Sequence, residues 1–319
     1  MYKIIVGGKI HQSGINLLEK VNNFEVTILP DASQETLENN ISDADGVLLR
    51  LQSFTKLMID NSPKLKILSR NGVGYDRIDI PELTNRKIPL TIVGDVNSGS
   101  VAEHTIMFIL DLLKNSKRHD AMVRGNKWKD RDLLISNDFA GKKILIVGFG
   151  KIGQKVAKIA RAFNAQINIY DPYIDNQKKF PDDYNFFVEL DTAIMDSEII
   201  TLHAPGMGKH IIGKDEIELM QENTILINTS RGSHIDLDAL LEGLQSGKLR
   251  SAGLDVFPEE PPDISDHKVF SHEKVLFSPH IAGLNNDCAA RMSVNSAQNI
   301  IDYFNGKLSP EFVVNREIL

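Results

Sequence analysis

Cysteine and tryptophan are almost absent from this chain: Cys288 and Trp128 are single copies in 319 residues. One cysteine excludes an intrachain disulfide and any metal site built on cysteine thiolates; it fits a reducing, cytoplasmic compartment, with Cys288 as a small packing residue. Positive charge is in deficit, with 36 Lys and Arg against 43 Asp and Glu and a formal net charge of −7. Such a chain has no field that attracts a polyanion, so nucleic acid and anionic membrane are not expected partners, and only local anion sites remain. Long hydrophobic runs are missing too. The most apolar stretch, residues 101–113, is interrupted by Glu103, His104 and Asp111, falls far short of a membrane span and reads as a buried helix. The opening MYKIIVGGKI begins at once with a strand pattern and shows no apolar core of a secretory leader. Asn228-Thr229-Ser230 is therefore read as a chance match to a glycosylation acceptor.

What is present is organised in two series of strands. The 319 residues suffice for two domains, each burying its own core. Short apolar runs near 3–6, 25–29, 46–49, 67–69 and 90–93 alternate with helical patterns, which predicts a parallel α/β domain. A second series starts at Ile144 and continues through 167–170, 199–202, 224–228, 251–255 and 275–278; six strands suit a doubly wound nucleotide domain. Between the two series, Ser100 and Glu103 stand at capping-box spacing before the apolar helix, which is expected to cross between domains. Residues 124–140 are polar and weakly periodic and read as an extended arm suited to a dimer interface. A further helix over about 286–304, with Ala290, Val294, Ala297, Ile300 and Ile301 on one side, is expected to return to the first domain. No repeat of solenoid period and no low-complexity segment occurs.

The segment KKILIVGFGKIGQKVAKIARAFNAQINIYD, residues 142–171, joins a buried strand, a glycine turn, an amphipathic helix, a second strand and a carboxylate. Gly148 gives a tight turn, Gly150 a close approach for pyrophosphate and Gly153 close helix–strand packing. The helix N-terminus offers free N–H groups and its positive dipole end to a phosphate. Ile152, Val156, Ile159, Ala160 and Phe163 form the stripe that lies on the sheet. Asp171, 18 residues beyond Gly153, is placed to accept both adenosine ribose hydroxyls and to repel a 2′-phosphate, so the cofactor is NAD rather than NADP.

Polar groups also follow later strands, where ligands collect in open parallel sheets. Arg231, after the strand TILIN, has the planar fork that holds a carboxylate by two parallel bonds. His280, after VLF, offers an imidazole, the side chain suited to serve as both acid and base. The run Asp255-Val256-Phe257-Pro258-Glu259-Glu260-Pro261 supplies carboxylates after the preceding strand, and a carboxylate beside an imidazole favours its protonated form. Charge alone does not separate Glu259 from Glu260.

In their order, and over nearly the whole chain, these motifs resemble those of the D-isomer-specific 2-hydroxyacid dehydrogenases, an NAD-dependent family that includes D-3-phosphoglycerate dehydrogenase. The motifs are Gly148-Phe149-Gly150-Lys151-Ile152-Gly153 with Asp171, Leu202-His203-Ala204-Pro205, Asn228-Thr229-Ser230-Arg231-Gly232, Leu254-Asp255-Val256-Phe257 through Pro261, and Ser278-Pro279-His280. The resemblance implies two doubly wound parallel-sheet α/β domains, a Rossmann NAD-binding domain at 98–285 inserted in a flavodoxin-like substrate domain formed by 1–97 and 286–319. It implies that Arg231 holds the substrate carboxylate and polarises the keto oxygen, that Glu260 is the histidine's partner, and that His280 is the acid–base. Cofactor contacts would fall on Gly148, Gly150, Lys151, Ile152, Gly153 and Asp171, on His203, Ala204 and Pro205, on Thr229, and on Asp255 near the nicotinamide carboxamide. Asn71-Gly72-Val73-Gly74 resembles the loop whose amides bind the substrate carboxylate. No metal is expected. Hydride passes between nicotinamide and C2 of a 2-hydroxy or 2-keto acid, His280 moves the proton, and the site is expected between the domains, where closure excludes water.

Residues 9–15 and 69–76 resemble the phosphoglycerate dehydrogenase branch, which implies 3-phosphoglycerate and 3-phosphohydroxypyruvate as substrates and serine biosynthesis as the setting; a phosphorylated substrate needs extra cationic contacts, which Arg50 at the end of the strand GVLL or Arg70 can give. Arg50-Leu51-Gln52-Ser53-Phe54-Thr55 departs from the Arg-Ser-x-Thr pattern of that branch, and glyoxylate or hydroxypyruvate reduction is the alternative. A regulatory C-terminal domain of the longer members is not expected. A homodimer is expected. The alternative of another class is an NAD(H)-sensing binding protein on the same fold, disfavoured by the intact Arg231, Glu260 and His280.

Overall fold

The computed structural model describes residues 1–174, 180–206 and 208–319. The chain forms two compact units, residues 1–97 with 284–319, and residues 98–283.

The first unit is a five-stranded parallel sheet of β1 (Tyr2–Val6), β2 (Phe24–Ile28), β3 (Gly46–Leu49), β4 (Ile67–Arg70) and β5 (Leu90–Thr91), in the order β2-β1-β3-β4-β5. Alternation along the strands sends residues to opposite faces. Ile5, Val47, Leu49 and Leu68 pack with Leu37, Ile59 and Leu83 on one side. Ile4, Val6, Leu48 and Ile67 pack on the other with Ile15 and Leu18 of the helix Gln12–Glu19 and with Ala297 and Ile300 of the helix Asn286–Phe304. The order is that of flavodoxin-type sheets, in which direction reverses between β1 and β3. Arg50 directly follows β3, at that reversal.

The second unit is a seven-stranded parallel sheet of β6 (Lys143–Val147), β7 (Gln166–Tyr170), β8 (Tyr184–Phe187), β9 (Ile199–Leu202), β10 (Thr224–Asn228), β11 (Leu249–Leu254) and β12 (Val275–Phe277), ordered β12-β11-β10-β9-β6-β7-β8. Covered on both faces, such strands need near-continuous apolar runs, and KILIV and TILIN supply them. Leu145, Val147, Leu202, Leu226 and Leu254 face the core that includes Leu240 and Leu244 of the helix Leu237–Ser246. Ile144, Ile146, Ile167, Ile225 and Ile227 face the helices Ser98–Lys114 and Lys151–Ala162. Direction reverses between β6 and β9.

Several sequence expectations are corrected. The second sheet has a seventh strand, β8, whose residues Asn185 and Phe186 are exposed; an edge strand buries too little to leave an apolar run. The strand expected over 90–93 stops at Thr91. The helix expected to be capped by Ser100 starts at Ser98, and Ser98 and Ser100 are both buried. The extended arm contains a turn of 3₁₀-helix at Trp128–Leu133 and is preceded by a helix at Ser116–Arg124 that buries only Met122, too little to produce a periodic stripe. Among the described residues, no helix is long and apolar enough to cross a membrane, and no cluster of His, Cys, Asp and Glu is placed to hold a metal ion.

Candidate active site in two strand-end clusters

The three glycines after β6 differ in what surrounds them. Gly148 has φ +93, and a Cβ there would stand 2.7 Å from the Ala204 amide nitrogen, so only glycine lets this turn meet the segment that follows β9. A Cβ on Gly153 would stand 2.2 Å from the Gly148 carbonyl oxygen. Gly150 has nothing within 4 Å of that position; it caps the helix Lys151–Ala162 and faces open space. A helix N-terminus whose leading amides have no intrahelical acceptor, beside a cradle that a Cβ would narrow, fits a pyrophosphate. Lys151 is exposed and Ile152 half-buried in that first turn.

Asp171 follows β7. Its Oδ2 accepts from the Phe149 amide at 2.7 Å and its Oδ1 from the Tyr173 amide at 2.8 Å. A carboxylate has about four acceptor positions, so this one is fixed against the turn and retains capacity for ribose hydroxyls. After β9, the His203 ring turns inward. Its Nε2 shares a hydrogen bond with Thr201 Oγ1 at 2.9 Å, and its buried Nδ1 has no partner among the described residues. Burial pushes the imidazole down to about 3. The ring is neutral, and the main chain is what the His203-Ala204-Pro205 segment offers a cofactor. Thr229 is likewise buried, its hydroxyl 2.9 Å from Thr105 Oγ1. Thr105 donates to the Val101 carbonyl, so Thr229 donates to Thr105, and its hydroxyl hydrogen is not available to a cofactor.

Arg231, Glu260 and His280 are gathered by strand register. Asn228, Leu254 and Phe277 are aligned across β10, β11 and β12, so the loops that follow leave from adjacent strand ends. Asn228 ties the first of these loops, its Nδ2 donating to the Arg231 carbonyl at 2.8 Å and its Oδ1 accepting from the Ser230 amide at 3.0 Å. A Cβ on Gly232 would stand 1.9 Å from the Phe257 carbonyl carbon, which brings the arginine turn against the loop that carries Glu260. Glu260 Oε1 accepts from the Phe257 amide at 3.1 Å, and its Oε2 lies 2.8 Å from His280 Nδ1. Glu259 is exposed. The His280 side chain is 41% exposed and that of Glu260 23%. With Nδ1 on the carboxylate, Nε2 is the ring nitrogen left to exchange a proton.

His280 has φ +53, and Asp255 holds that turn. The backbone oxygen of Asp255 accepts from the His280 amide at 2.8 Å, and its buried carboxylate accepts from the Ser278 hydroxyl and from the amides of Ile281 and Ala282, each at 2.9 Å. Three of about four acceptor positions are thus engaged, leaving room for one further donor. Asn228, Ser278 and His104, which reaches Ser278 Oγ at 2.9 Å, are not singled out by the sequence as site residues; Asn228 acts within its own loop, whereas Ser278 and His104 find partners far along the chain. His234 was missed as well: it is buried between Ser230 Oγ, at 2.9 Å, and the Pro205 carbonyl, at 3.0 Å.

In the first unit, the four residues after β4 are not equivalent. The Asn71 amide donates to Leu49 and the Gly72 amide to Arg70, at 2.8 and 2.9 Å. The amides of Val73 and Gly74 have no acceptor among the described residues. Arg70 wraps this loop, donating from Nε to the Gly74 carbonyl and from Nη1 to the Asn71 carbonyl, both at 3.0 Å. Arg50 is half-buried, its amide donating to Gln52 Oε1 at 3.2 Å.

Comparison with known proteins adds an independent finding. Residues 106–282 match the family described as D-isomer specific 2-hydroxyacid dehydrogenase, NAD binding domain. The chain is 35% identical to D-3-phosphoglycerate dehydrogenase of Methanocaldococcus jannaschii across 99% of its own length, and spans 60% of that protein. It is 33% identical to glyoxylate reductase of Thermococcus litoralis, with 99% of this chain and 98% of the reductase covered. Among solved structures it resembles NAD-dependent formate dehydrogenase from Staphylococcus aureus in complex with NAD, with a TM-score of 0.84, 25% identity and 96% of each chain covered.

Proposed function

The chain belongs to the D-isomer specific 2-hydroxyacid dehydrogenase family, and from that premise we propose that it interconverts a small D-2-hydroxy acid and its 2-keto acid with NAD. The observation that carries the proposal is the His280 Nδ1–Glu260 Oε2 contact of 2.8 Å, on a loop adjacent in register to the one bearing Arg231. When bound, the nicotinamide supplies or takes the hydride. The Arg231 guanidinium holds the substrate carboxylate and opposes the charge that grows on the keto oxygen. Glu260 fixes the imidazole through Nδ1, so Nε2 gives a proton to the emerging alkoxide and takes it back in oxidation. Asp171 selects NAD by accepting ribose hydroxyls where a 2′-phosphate would meet its charge. On the first unit, the amides of Val73 and Gly74, without an acceptor among the described residues, are the donors offered to a carboxylate.

The substrate read first is 3-phosphoglycerate with 3-phosphohydroxypyruvate, in serine biosynthesis, with Arg50 at the β1/β3 reversal as the phosphate contact. Glyoxylate or hydroxypyruvate is the second reading. It is favoured by Arg70, whose guanidinium is committed to the carbonyls of Asn71 and Gly74 and leaves Arg50 with less cationic support. We place the protein in the cytoplasm as a homodimer, without nucleic acid or membrane as partners. The test is a spectrophotometric panel: NADH or NADPH with hydroxypyruvate, glyoxylate, pyruvate and 2-ketoglutarate, and NAD with 3-phosphoglycerate. Turnover with NADH preferred over NADPH is expected, and the best substrate decides between the two readings. NADH binding without any turnover would replace the enzyme by a nicotinamide-sensing protein.

A further inference from the structure

His104 belongs to neither the nucleotide turn nor the Arg231, Glu260 and His280 group, yet it is tied to the latter. It projects from the helix Ser98–Lys114 with its side chain 14% exposed, and its ring stands edge-on to Phe108 with centroids 4.7 Å apart. Its Nε2 lies 2.9 Å from Ser278 Oγ and 3.8 Å from Asp255 Oδ1. Counting hydrogens gives the direction of these bonds. An ionised carboxylate only accepts, so the single hydroxyl hydrogen of Ser278 goes to Asp255 Oδ1. Ser278 Oγ is then an acceptor towards His104, and the hydrogen between them comes from Nε2. Burial pushes this imidazole below its ordinary value, against the pull of Asp255, and a neutral ring protonated on Nε2 meets the requirement. The series ends on the loop of His280, because Asp255 Oδ1 also accepts from Ile281, Oδ2 accepts from Ala282, and the backbone oxygen accepts from His280 itself.

We propose that His104 is a positioning residue for the proton transfer: its Nε2–H fixes the Ser278 hydroxyl on Asp255, and Asp255 so held fixes the left-handed turn that presents His280. The inference rests on the reading of His280 as the acid–base. It differs from a packing role beside Phe108, which leucine would fill as well as histidine. It also makes the hydrogen on Nε2, rather than the volume of the ring, the property that matters.

The test compares the full-length wild type with His104→Leu, His104→Gln, Ser278→Ala and the double variant His104→Leu/Ser278→Ala. With the best substrate of the panel, His104→Leu lowers kcat about tenfold while the KM for NADH stays within about twofold, as for an interaction that acts in the chemical step. His104→Gln, which keeps an N–H donor, recovers most of the loss. The double variant is no slower than the slower single variant, because both act through one bond. An unchanged kcat in His104→Leu, no recovery by glutamine, or losses that multiply in the double variant would overturn the proposal. A second readout does not depend on turnover. Hydrogen exchange of the Ile281 and Ala282 amides is faster in His104→Leu than in wild type and is restored in His104→Gln; equal rates in all three overturn the inference. A wild type that turns nothing over refutes the enzyme reading, and the exchange rates still decide the role of His104.

Discussion

Histidine 203 shows how a single residue ties pH to stability. Its ring is held neutral by burial, with the folded imidazole lowered from 6.5 to about 3. The unfolded chain therefore takes up a proton first as the pH falls below 6.5. The contribution is complete above that value and is lost progressively towards pH 3, which amounts to ~2 kcal/mol at about pH 5. Urea unfolding at about pH 7 and pH 5 checks this: wild type should lose ~2 kcal/mol more between the two conditions than His203→Asn. Equal losses would show that the ring is hydrated in the folded protein. Asp171, Arg231 and His280 stand out in the sequence as polar side chains just past apolar runs, and the structure sets each of them shortly after the end of a strand. Charge does not separate Glu259 from Glu260; the family resemblance points to Glu260, and the path of the loop sets its Oε2 2.8 Å from His280 Nδ1. His104 was read as no more than a polar break in an apolar helix, because its partner Ser278 lies 174 residues away and no local pattern connects them.

The glycine turn is a single element whose three glycines answer to different constraints, and substitution separates them. Gly153→Ala places a methyl 2.2 Å from the Gly148 carbonyl oxygen, a backbone atom that cannot move without displacing the helix from β6. A loss of ~2 kcal/mol or more in stability is expected, visible as a lowered thermal midpoint. Gly150→Ala meets nothing within 4 Å and keeps the wild-type midpoint, yet its methyl enters the space proposed for pyrophosphate. NADH affinity, read by fluorescence titration, should fall about tenfold or more. An unchanged affinity would remove the phosphate from this turn. The same contrast explains which elements the sequence revealed. β6 and β10 are covered on both faces and are written as unbroken apolar runs, whereas β8 is an edge strand with two exposed residues and carries no such signature. The start of the helix Ser98–Lys114 was misplaced for a related reason: Ser98 and Ser100 are buried, and burial overrode the capping spacing that their side chains suggest.

At the scale of the whole molecule, large apolar side chains are exposed at many places along the chain, and four of them fall within residues 123–134, after the helix that carries His104. Val123, Trp128, Leu133 and Leu134 are 62%, 65%, 56% and 86% exposed, in a segment that contributes little to the core of its own unit. Large apolar side chains grouped in this way mark an interaction surface, and a second copy of the chain is the occupant proposed above. The segment is also tied back to the unit's framework. Asn115 Nδ2 and Arg250 Nη2 both donate to the Ile135 carbonyl, at 2.7 and 2.9 Å, and the Asn137 amide donates to Leu113 at 2.9 Å. A partner that grips this arm therefore grips the end of the helix that braces the His280 loop. Sedimentation velocity at about 10 μM should show a dimer for wild type and a monomer for Leu134→Asp, since a buried unpaired carboxylate costs several kcal/mol, on the order of what a standard interface has to spare. The glycine turn lies outside the substituted arm, so NADH binding by Leu134→Asp should stay within about twofold of wild type. A monomeric wild type would refute the homodimer, and a dimer that survives Leu134→Asp would move the interface away from this arm.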